Sequence, residues 1–325
     1  MSIAVGLIGA GVMGAEHGKI ITQHTPCAHL AGVCDFDEVK ARNISGGATV
    51  FKDPLDLIQS ADIDAVLIAS PDSTHADLVL ACIDVGKPVL CEKPLATTSA
   101  LAKAVVEAEC QKGARLVQVG YMRRFDPGYQ ELKAVFESGT VGTPEILHNI
   151  HRNPVAPDWM IGDMLITNAF VHEIDIARWL LQTELEAVKV IVTDKGDPMM
   201  IVARLTNGAI ASTELFMNCK FGYQVHAQLV GSEGTAALPT FPAVILNKGG
   251  QRATPIPGNW IPRFRAAYQA QTSSWIESII TGVANDGATA WDGYITTLIA
   301  EQLTVRDFSE EIISLSLPER PRLYL

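Results

Sequence analysis

Positive charge, aromatic side chains and long apolar runs are all scarce in this chain. Its 325 residues carry 25 Lys and Arg against 36 Asp and Glu, a formal net charge of −11 with histidine neutral. A surface of that sign gains nothing from a phosphate backbone or an anionic lipid leaflet, so nucleic-acid and membrane partners are set aside. No apolar stretch approaches the ~20 residues that a membrane-spanning helix needs. No basic segment with a long apolar core stands at the N-terminus. Residues 2–8 are a short run leading straight into a glycine turn, which reads as a strand and not as a secretory signal. Cysteine motifs are missing too. Cys27, Cys34, Cys82, Cys91, Cys110 and Cys219 form no Cys-x-x-Cys pair, and several sit in apolar runs. They read as buried thiols in a reducing compartment, which makes the expected location cytoplasmic. No metal site is expected either. His148 and His151 are three apart on a strand pattern and so face opposite sides, and no histidine–carboxylate triad has ligand spacing. Repeats and low-complexity segments are absent.

What is present is ample apolar material, 48% of residues, in a length that suggests about two domains. Strand-like runs at 3–8, 30–34, 49–51, 65–69, 88–91 and 116–120 alternate with helical patterns at 13–23, 39–43, 54–60, 75–85 and 99–111. This βαβα rhythm predicts a doubly wound parallel sheet covered on both faces, a Rossmann domain over residues 1–121. After Gly120 the rhythm changes. A helix is expected at 127–138, ended by Gly139, then a strand at 145–151 and a helix at 169–181. Strand patterns follow at 187–192, 199–205, 209–217 and 223–231, with turns at Lys195-Gly196 and Asn207-Gly208. That is the spacing of an antiparallel meander. Helical patterns return at 264–281 and 293–311. Residues 122–325 are therefore expected to form an α+β domain with one large, mostly antiparallel sheet. Within it the loop 153–163, rich in proline and glycine, is the candidate functional loop.

Gly9-Ala10-Gly11-Val12-Met13-Gly14 follows the first strand and opens the first helix. Gly9 permits the tight turn, Gly11 lets the backbone approach a diphosphate, and Gly14 lets helix and strand pack closely. The diphosphate is then met by the positive end of the helix, so Val12 and Met13 join the candidate cofactor residues. Asp35 ends the second strand, 21 residues beyond Gly14. Its carboxylate can accept from both ribose hydroxyls of NAD and would repel the 2′-phosphate of NADP. The next residues, Phe36 and Asp37, supply no arginine to offset it, which favours NAD.

Cys91-Glu92-Lys93-Pro94 closes an apolar strand. Ligands of an open α/β sheet bind beyond the carboxyl ends of its strands, so Lys93 is placed over the cofactor. Asn168, His172 and Asp175, at helical spacings of four and three, fall on one face at about 100° per residue. Three polar groups on one face among apolar positions are hard to explain by packing; a polyhydroxylated ligand would satisfy them.

These segments resemble the Gfo/Idh/MocA oxidoreductases along nearly the whole chain, and within them the inositol dehydrogenase branch. The resemblance is carried by Gly9 to Gly14, Ala69-Ser70-Pro71, Glu92-Lys93-Pro94, Gly120-Tyr121-Met122-Arg123-Arg124-Phe125-Asp126, His151-Arg152-Asn153-Pro154, His172-Glu173-Ile174-Asp175 and Trp291-Asp292-Gly293-Tyr294. It implies an NAD-dependent enzyme that oxidises a secondary ring hydroxyl of a cyclic polyol or sugar. Ser70, Pro71 and Glu92 would join the glycine turn, Asp35 and Lys93 around NAD. Lys93 would orient the hydroxyl and stabilise charge developing on its oxygen, and His172 would accept its proton. Met122, Arg123, His151, Asn153, Asn168, Asp175, Tyr223 and Tyr268 would line the substrate pocket. The family's habits also imply a homo-oligomer, a tetramer or dimer.

Three positions depart from the branch. Asn168 stands where an aspartate is expected beside the histidine, Ala169 replaces a threonine and Phe221 a tyrosine. An asparagine brings no charge to favour an imidazolium, and a site missing a partner for one substrate hydroxyl can reject that substrate strongly. A different inositol isomer, an aldose or a glycoside oxidised on its ring therefore stands beside myo-inositol. The same family contains redox glycosidases, glycoside 3-dehydrogenases and non-catalytic NAD-binding regulators. Lys93 and His172 argue against the last, since a pure binder needs neither.

Overall fold

A computed structural model describes residues 2–239, 245–304 and 311–325. The chain forms two compact units. The first runs to Phe125 and takes in Ala267–Leu298 and Pro318–Leu325; the second comprises Asp126–Ala266 and Ile299–Leu317.

The first unit alternates β1 (Ile3–Ile8), α1 (Val12–His24), β2 (Ala28–Cys34), α2 (Glu38–Ser45), β3 (Thr49–Phe51), α3 (Pro54–Gln59), β4 (Ala65–Ile68), α4 (His75–Val85), β5 (Val89–Cys91), α5 (Ser99–Lys112) and β6 (Val117–Val119). These six strands pair in parallel in the order β3-β2-β1-β4-β5-β6, and a late strand, β15 (Ala288–Thr289), adds antiparallel to β6. Every residue of β4 and β5 is buried, as expected for strands covered on both faces. Each fully buried Val, Leu or Ile there is worth about 1.5–3 kcal/mol of transfer free energy. Strand order reverses between β1 and β4, so the loops leaving these two strands flank a switch point, where doubly wound sheets bind ligands. The end of α8 (Trp260–Thr281) brings Trp275 and Ile276 into the same core as Val5, Leu7 and Val33.

The second unit holds α6 (Pro127–Glu137), β7 (Pro144–Arg152), α7 (Val171–Leu181), β8 (Leu185–Val192), β9 (Met199–Leu205), β10 (Ile210–Phe216), β11 (Gln224–Gly231) and β12 (Thr235–Ala237). A short hairpin follows, β13 (Leu246–Lys248) with β14 (Gln251–Ala253), and β16 (Ile313–Ser314) adds to β8. Its sheet runs β12-β11-β7-β10-β9-β8-β16, antiparallel throughout except for the β7–β10 pair.

The expected four-strand meander is only partly realised. β8, β9 and β10 follow it, but β7 sits between β10 and β11. The cause is the connection after β10. Cys219 N–H donates to the Asn153 carbonyl at 3.0 Å and Lys220 N–H to that of Pro154 at 3.1 Å. The chain is thereby carried past the end of β7, and β11 pairs with its far edge. The helix expected at 293–311 is α9 (Ala290–Thr304); residues 305–310 lie outside the described residues. Cys34, Cys82 and Cys91 are buried, but Cys27 and Cys110 are exposed, because neither lies on an inward-facing position of its segment.

Along β9 burial alternates strictly, Met199, Ile201, Ala203 and Leu205 facing in and Met200, Val202 and Arg204 facing out. Ile191, Met200, Val202 and Ile210 put exposed apolar side chains on the outer face of this sheet, interspersed with Lys189, Arg204 and Glu214.

Candidate active site

In the first unit the glycine turn is built as its sequence demands. Gly9 has φ +99°, and a Cβ there would lie 2.4 Å from the Ala69 carbonyl oxygen. A Cβ on Gly14 would lie 1.9 Å from the carbonyl oxygen of Gly9, whereas one on Gly11 would meet, among the described residues and beyond its own chain neighbours, no atom within 4 Å. Protein packing thus explains Gly9 and Gly14 but not Gly11. Space beside Gly11, at the start of α1, is what a diphosphate approaching the N-terminal N–H groups requires. Val12 is largely exposed at this end of the helix, with Met13 beside it. Asp35 does two structural jobs: Oδ2 accepts from Ala10 N–H at 2.5 Å and Oδ1 from Asp37 N–H at 2.8 Å. The carboxylate is thereby fixed beside the glycine turn. Beyond β4, Ser70 Oγ lies 2.6 Å from Thr74 Oγ1, which donates to the Pro71 carbonyl at 2.8 Å. The residues of this half fit a dinucleotide.

Lys93 stands two residues beyond the end of β5 and is partly exposed, and the Lys93–Pro94 peptide is cis. Glu92 is buried and points into the protein. Its Oε2 lies 3.3 Å from Lys93 N–H, and Gly120 leaves it room, since a Cβ there would come within 2.8 Å of that oxygen. Met122 and Arg123 are buried in a 3₁₀ turn, Met122–Phe125, where Arg124 also reaches Asp292 at 3.4 Å. Tyr268, on the part of α8 in this unit, sets its ring edge-on to that of His17, 5.7 Å between centroids. Neighbouring thiols take no part. Burial first, then Asp53, Asp35 and Asp56, pushes Cys34 up to about 11, and burial holds Cys91 well above the ordinary thiol range, so neither supplies a thiolate near neutral pH.

The second unit gathers the histidine site. α7 is buried on every side, so burial alone marks no polar face. The segment before it, Leu165–Phe170, is a π-helical turn, so Asn168 is wound differently from His172 and Asp175 on α7. Such turns place side chains where a regular helix would not, and they recur at functional sites. Asn168, His172 and Asp175 are nevertheless all buried. The His151 ring stands edge-on to His172 and to Tyr223, each 6.2 Å away between centroids, and Tyr223 is in turn edge-on to Phe264 at 6.3 Å. Glu173, which the pattern reading passed over, places Oε1 3.1 Å from His151 Nδ1. A carboxylate only accepts, so this contact favours the tautomer with its proton on Nδ1. Asn153 donates from Nδ2 to the Met217 sulfur at 3.3 Å. Its loop then exposes Val155, Trp159 and Ile161, and Phe221 is also largely exposed, under the Arg152 guanidinium. The expected site residues thus divide. Lys93, Met122, Arg123 and Tyr268 belong to the first unit; His151, Asn153, Asn168, His172, Asp175 and Tyr223 belong to the second.

A dinucleotide cradle with a lysine at the next strand end, and a separate unit with buried histidines, define an NAD-binding oxidoreductase. The chain belongs to the Gfo/Idh/MocA family: residues 3–121 match the oxidoreductase family with an NAD-binding Rossmann fold, and residues 129–237 match the GFO/IDH/MocA C-terminal domain. It is 39% identical to inositol 2-dehydrogenase 1 of Saccharopolyspora erythraea, covering 100% of this chain and 99% of that protein. It is 37% identical to inositol 2-dehydrogenase/D-chiro-inositol 3-dehydrogenase of Shouchella clausii, covering 100% and 97%. The crystal structure of myo-inositol dehydrogenase from Lactobacillus casei, in complex with NAD(H) and myo-inositol, superposes with a TM-score of 0.94 at 30% identity, all of both chains being covered.

Proposed function

We propose that this enzyme oxidises a secondary ring hydroxyl of a cyclic polyol, an inositol in the first instance, to the ketone with NAD. The observation that carries the reading is the buried cluster in which His151, oriented by Glu173, stands edge-on to both His172 and Tyr223. Hydrogen-bonding groups held in an otherwise apolar surround suit a ring of hydroxyls.

Gly9, Gly11, Val12, Met13, Gly14, Asp35, Ser70 and Pro71 would hold the cofactor. The bound dinucleotide would supply the acceptor for the hydride of the alcohol carbon. Lys93 donates to the substrate oxygen and stabilises the negative charge that grows there. His172 takes the hydroxyl proton as general base. Met122, Arg123, His151, Asn153, Asn168, Asp175, Tyr223 and Tyr268 bind the remaining hydroxyls. Asn168 binds one as a neutral amide, and it is the position that separates the inositol isomers. NAD binding is the task of residues 1–121, and substrate binding and oligomerisation that of residues 122–325, although 122–125, 267–298 and 318–325 of these pack within the first compact unit. The exposed apolar side chains of Ile191, Met200, Val202 and Ile210 support assembly into a dimer or tetramer, and the six unpaired thiols support a cytoplasmic location.

The test is a panel of inositols, aldoses and glycosides, each incubated with enzyme and NAD while NADH absorbance is followed. NADH formation with at least one cyclic polyol is expected. No NADH from any of them, or aglycone release from glycosides without net NADH, overturns the reading.

A further inference from the structure

Lys93 sits on a turn, and two buried histidines grip the residues on either side of it. His17, on α1, is fully buried and places Nε2 2.7 Å from Glu92 Oε1. His75, the first residue of α4, is 1% exposed; its Nδ1 lies 2.7 Å from the Pro94 carbonyl oxygen and its Nε2 3.0 Å from that of Ser70. The geometry points to His17 and His75 as positioning residues for Lys93, the first acting through the Glu92 carboxylate and the second through the Pro94 carbonyl.

Packing alone does not account for the pair. A leucine fills comparable space without burying ring nitrogens, whose desolvation costs roughly 1–3 kcal/mol each when unmet. Two independent helices instead aim an imidazole at the residue before the lysine and at the residue after it. A carbonyl oxygen only accepts, so both contacts of His75 need an N–H. A neutral ring holds one carbonyl at a time and an imidazolium holds both. Glu92 has the complementary arrangement: one oxygen on His17, the other facing Lys93 N–H against the Gly120 backbone. Each histidine also ties the lysine turn to a cofactor element. His17 lies one helical turn beyond Gly14 on the helix that the glycine turn opens. Ser70, the other partner of His75, lies in the loop beyond β4 at the switch point. The turn that presents Lys93 is thus braced against both elements expected to hold NAD.

This inference rests on Lys93 acting at the substrate oxygen, and the test separates the two ideas. His17→Ala, His75→Ala and the conservative His17→Gln are made alone and in a Lys93→Ala background, with melting curves to establish folding. His17→Ala and His75→Ala are expected to lower kcat roughly 10- to 100-fold, the cost of about 1 Å of misplacement, while the NADH dissociation constant moves less than about threefold. His17→Gln, whose amide can still donate to Glu92, is expected to recover most of the loss. In the Lys93→Ala background the histidine substitutions should cost almost nothing further, because they act through the missing side chain. Independently of turnover, acylation of Lys93 followed by mass spectrometry should change severalfold in both alanine variants and not at exposed Lys52. Wild-type kcat in the alanine variants, losses that multiply with that of Lys93→Ala, or unchanged Lys93 acylation each overturn the bracket. A wild-type enzyme that reduces NAD with no polyol overturns the functional reading instead, and the acylation rates still decide the bracket.

Discussion

Two glycines of one turn should fail in opposite ways when each becomes alanine. At Gly14 the added Cβ would sit 1.9 Å from the Gly9 carbonyl oxygen, against a working minimum of 3.0 Å, so the backbone must yield by about 1 Å. Neither neighbour is the end of a flexible side chain that could swing away. Overpacking costs about 1–3 kcal/mol, and a backbone obstacle puts this case at the upper end. At about 2–4 °C per kcal/mol, Gly14→Ala should melt roughly 6–12 °C below wild type. At Gly11 the added Cβ meets nothing, and φ of −69° suits alanine. Replacing glycine at this N-cap should cost about 1 kcal/mol or less. The same methyl, however, occupies the space through which a diphosphate reaches the N–H groups of α1. Loss of one hydrogen bond to a charged group, about 1.5–3 kcal/mol, weakens NADH binding roughly 10- to 100-fold. Thermal melting by circular dichroism and NADH titration by tryptophan fluorescence read the two effects separately. Wild-type NADH affinity in Gly11→Ala would refute the placement of the diphosphate, and a wild-type melt of Gly14→Ala would refute the packing argument.

Asp35→Ala should raise the NADP-to-NAD ratio of kcat/KM by about tenfold or more, since like-charge juxtaposition costs several kcal/mol. The same change removes the acceptor of Ala10 and Asp37 N–H and should cost about 1–2 kcal/mol in urea unfolding. Asn168→Asp should shift relative kcat/KM across the inositol isomers; an unchanged profile in the polyol panel would remove that residue from substrate choice. Glu109, on the buried face of α5, accepts from Leu116 N–H, Val117 N–H and Tyr324 O–H. Burial nonetheless raises its carboxyl above the ordinary range, outweighing those donors. The folded state therefore holds this proton more tightly than the unfolded one, so its contribution to stability is present at low pH and is lost as pH rises through the folded pKa. Glu109→Gln should flatten the fall in stability above pH ~4.5 in urea melts at stepped pH, and an unaltered slope would refute the assignment.

The parallel sheet was legible because its signals are local. Runs such as Ala65-Val66-Leu67-Ile68 are too apolar for a half-exposed strand, and their alternation with helical patterns leaves few topologies once crossovers are required to be right-handed. Strands β8 to β10 were legible for a like reason: Gly196 and Gly208 lie in their turns with φ of +79° and +90°. The partner of β11 was not. Nothing in Gln224–Gly231 distinguishes the edge of β10 from that of β7. The choice is made by backbone bonds from Cys219 and Lys220 to Asn153 and Pro154, residues more than 60 positions earlier. The return of Trp275 and Ile276 to the first core is equally hidden, because an apolar helix face does not name the sheet it covers.

The same division runs through the site and shows what kind of residue pattern reading misses. The glycine turn, Asp35 and Lys93 are read from their position at strand ends, where the fold itself dictates use. His17, His75 and Glu173 take their meaning from partners 75, 19 and 22 residues away. Each looks in sequence like an ordinary polar residue on a helix. A signal did exist: His17 falls on the inward face of α1 with Gly14, Gly18 and Ile21, and a buried imidazole requires a partner. The sequence could say that such a partner must be found but not that it was Glu92. At Asn168 the regular spacing does not hold throughout. A count of 100° per residue assumes one helix from 168 to 175, and the π turn at Leu165–Phe170 breaks that assumption. The proposed role of Asn168 in substrate choice therefore has to be read from Asn168→Asp kinetics and not from its place on a helical wheel.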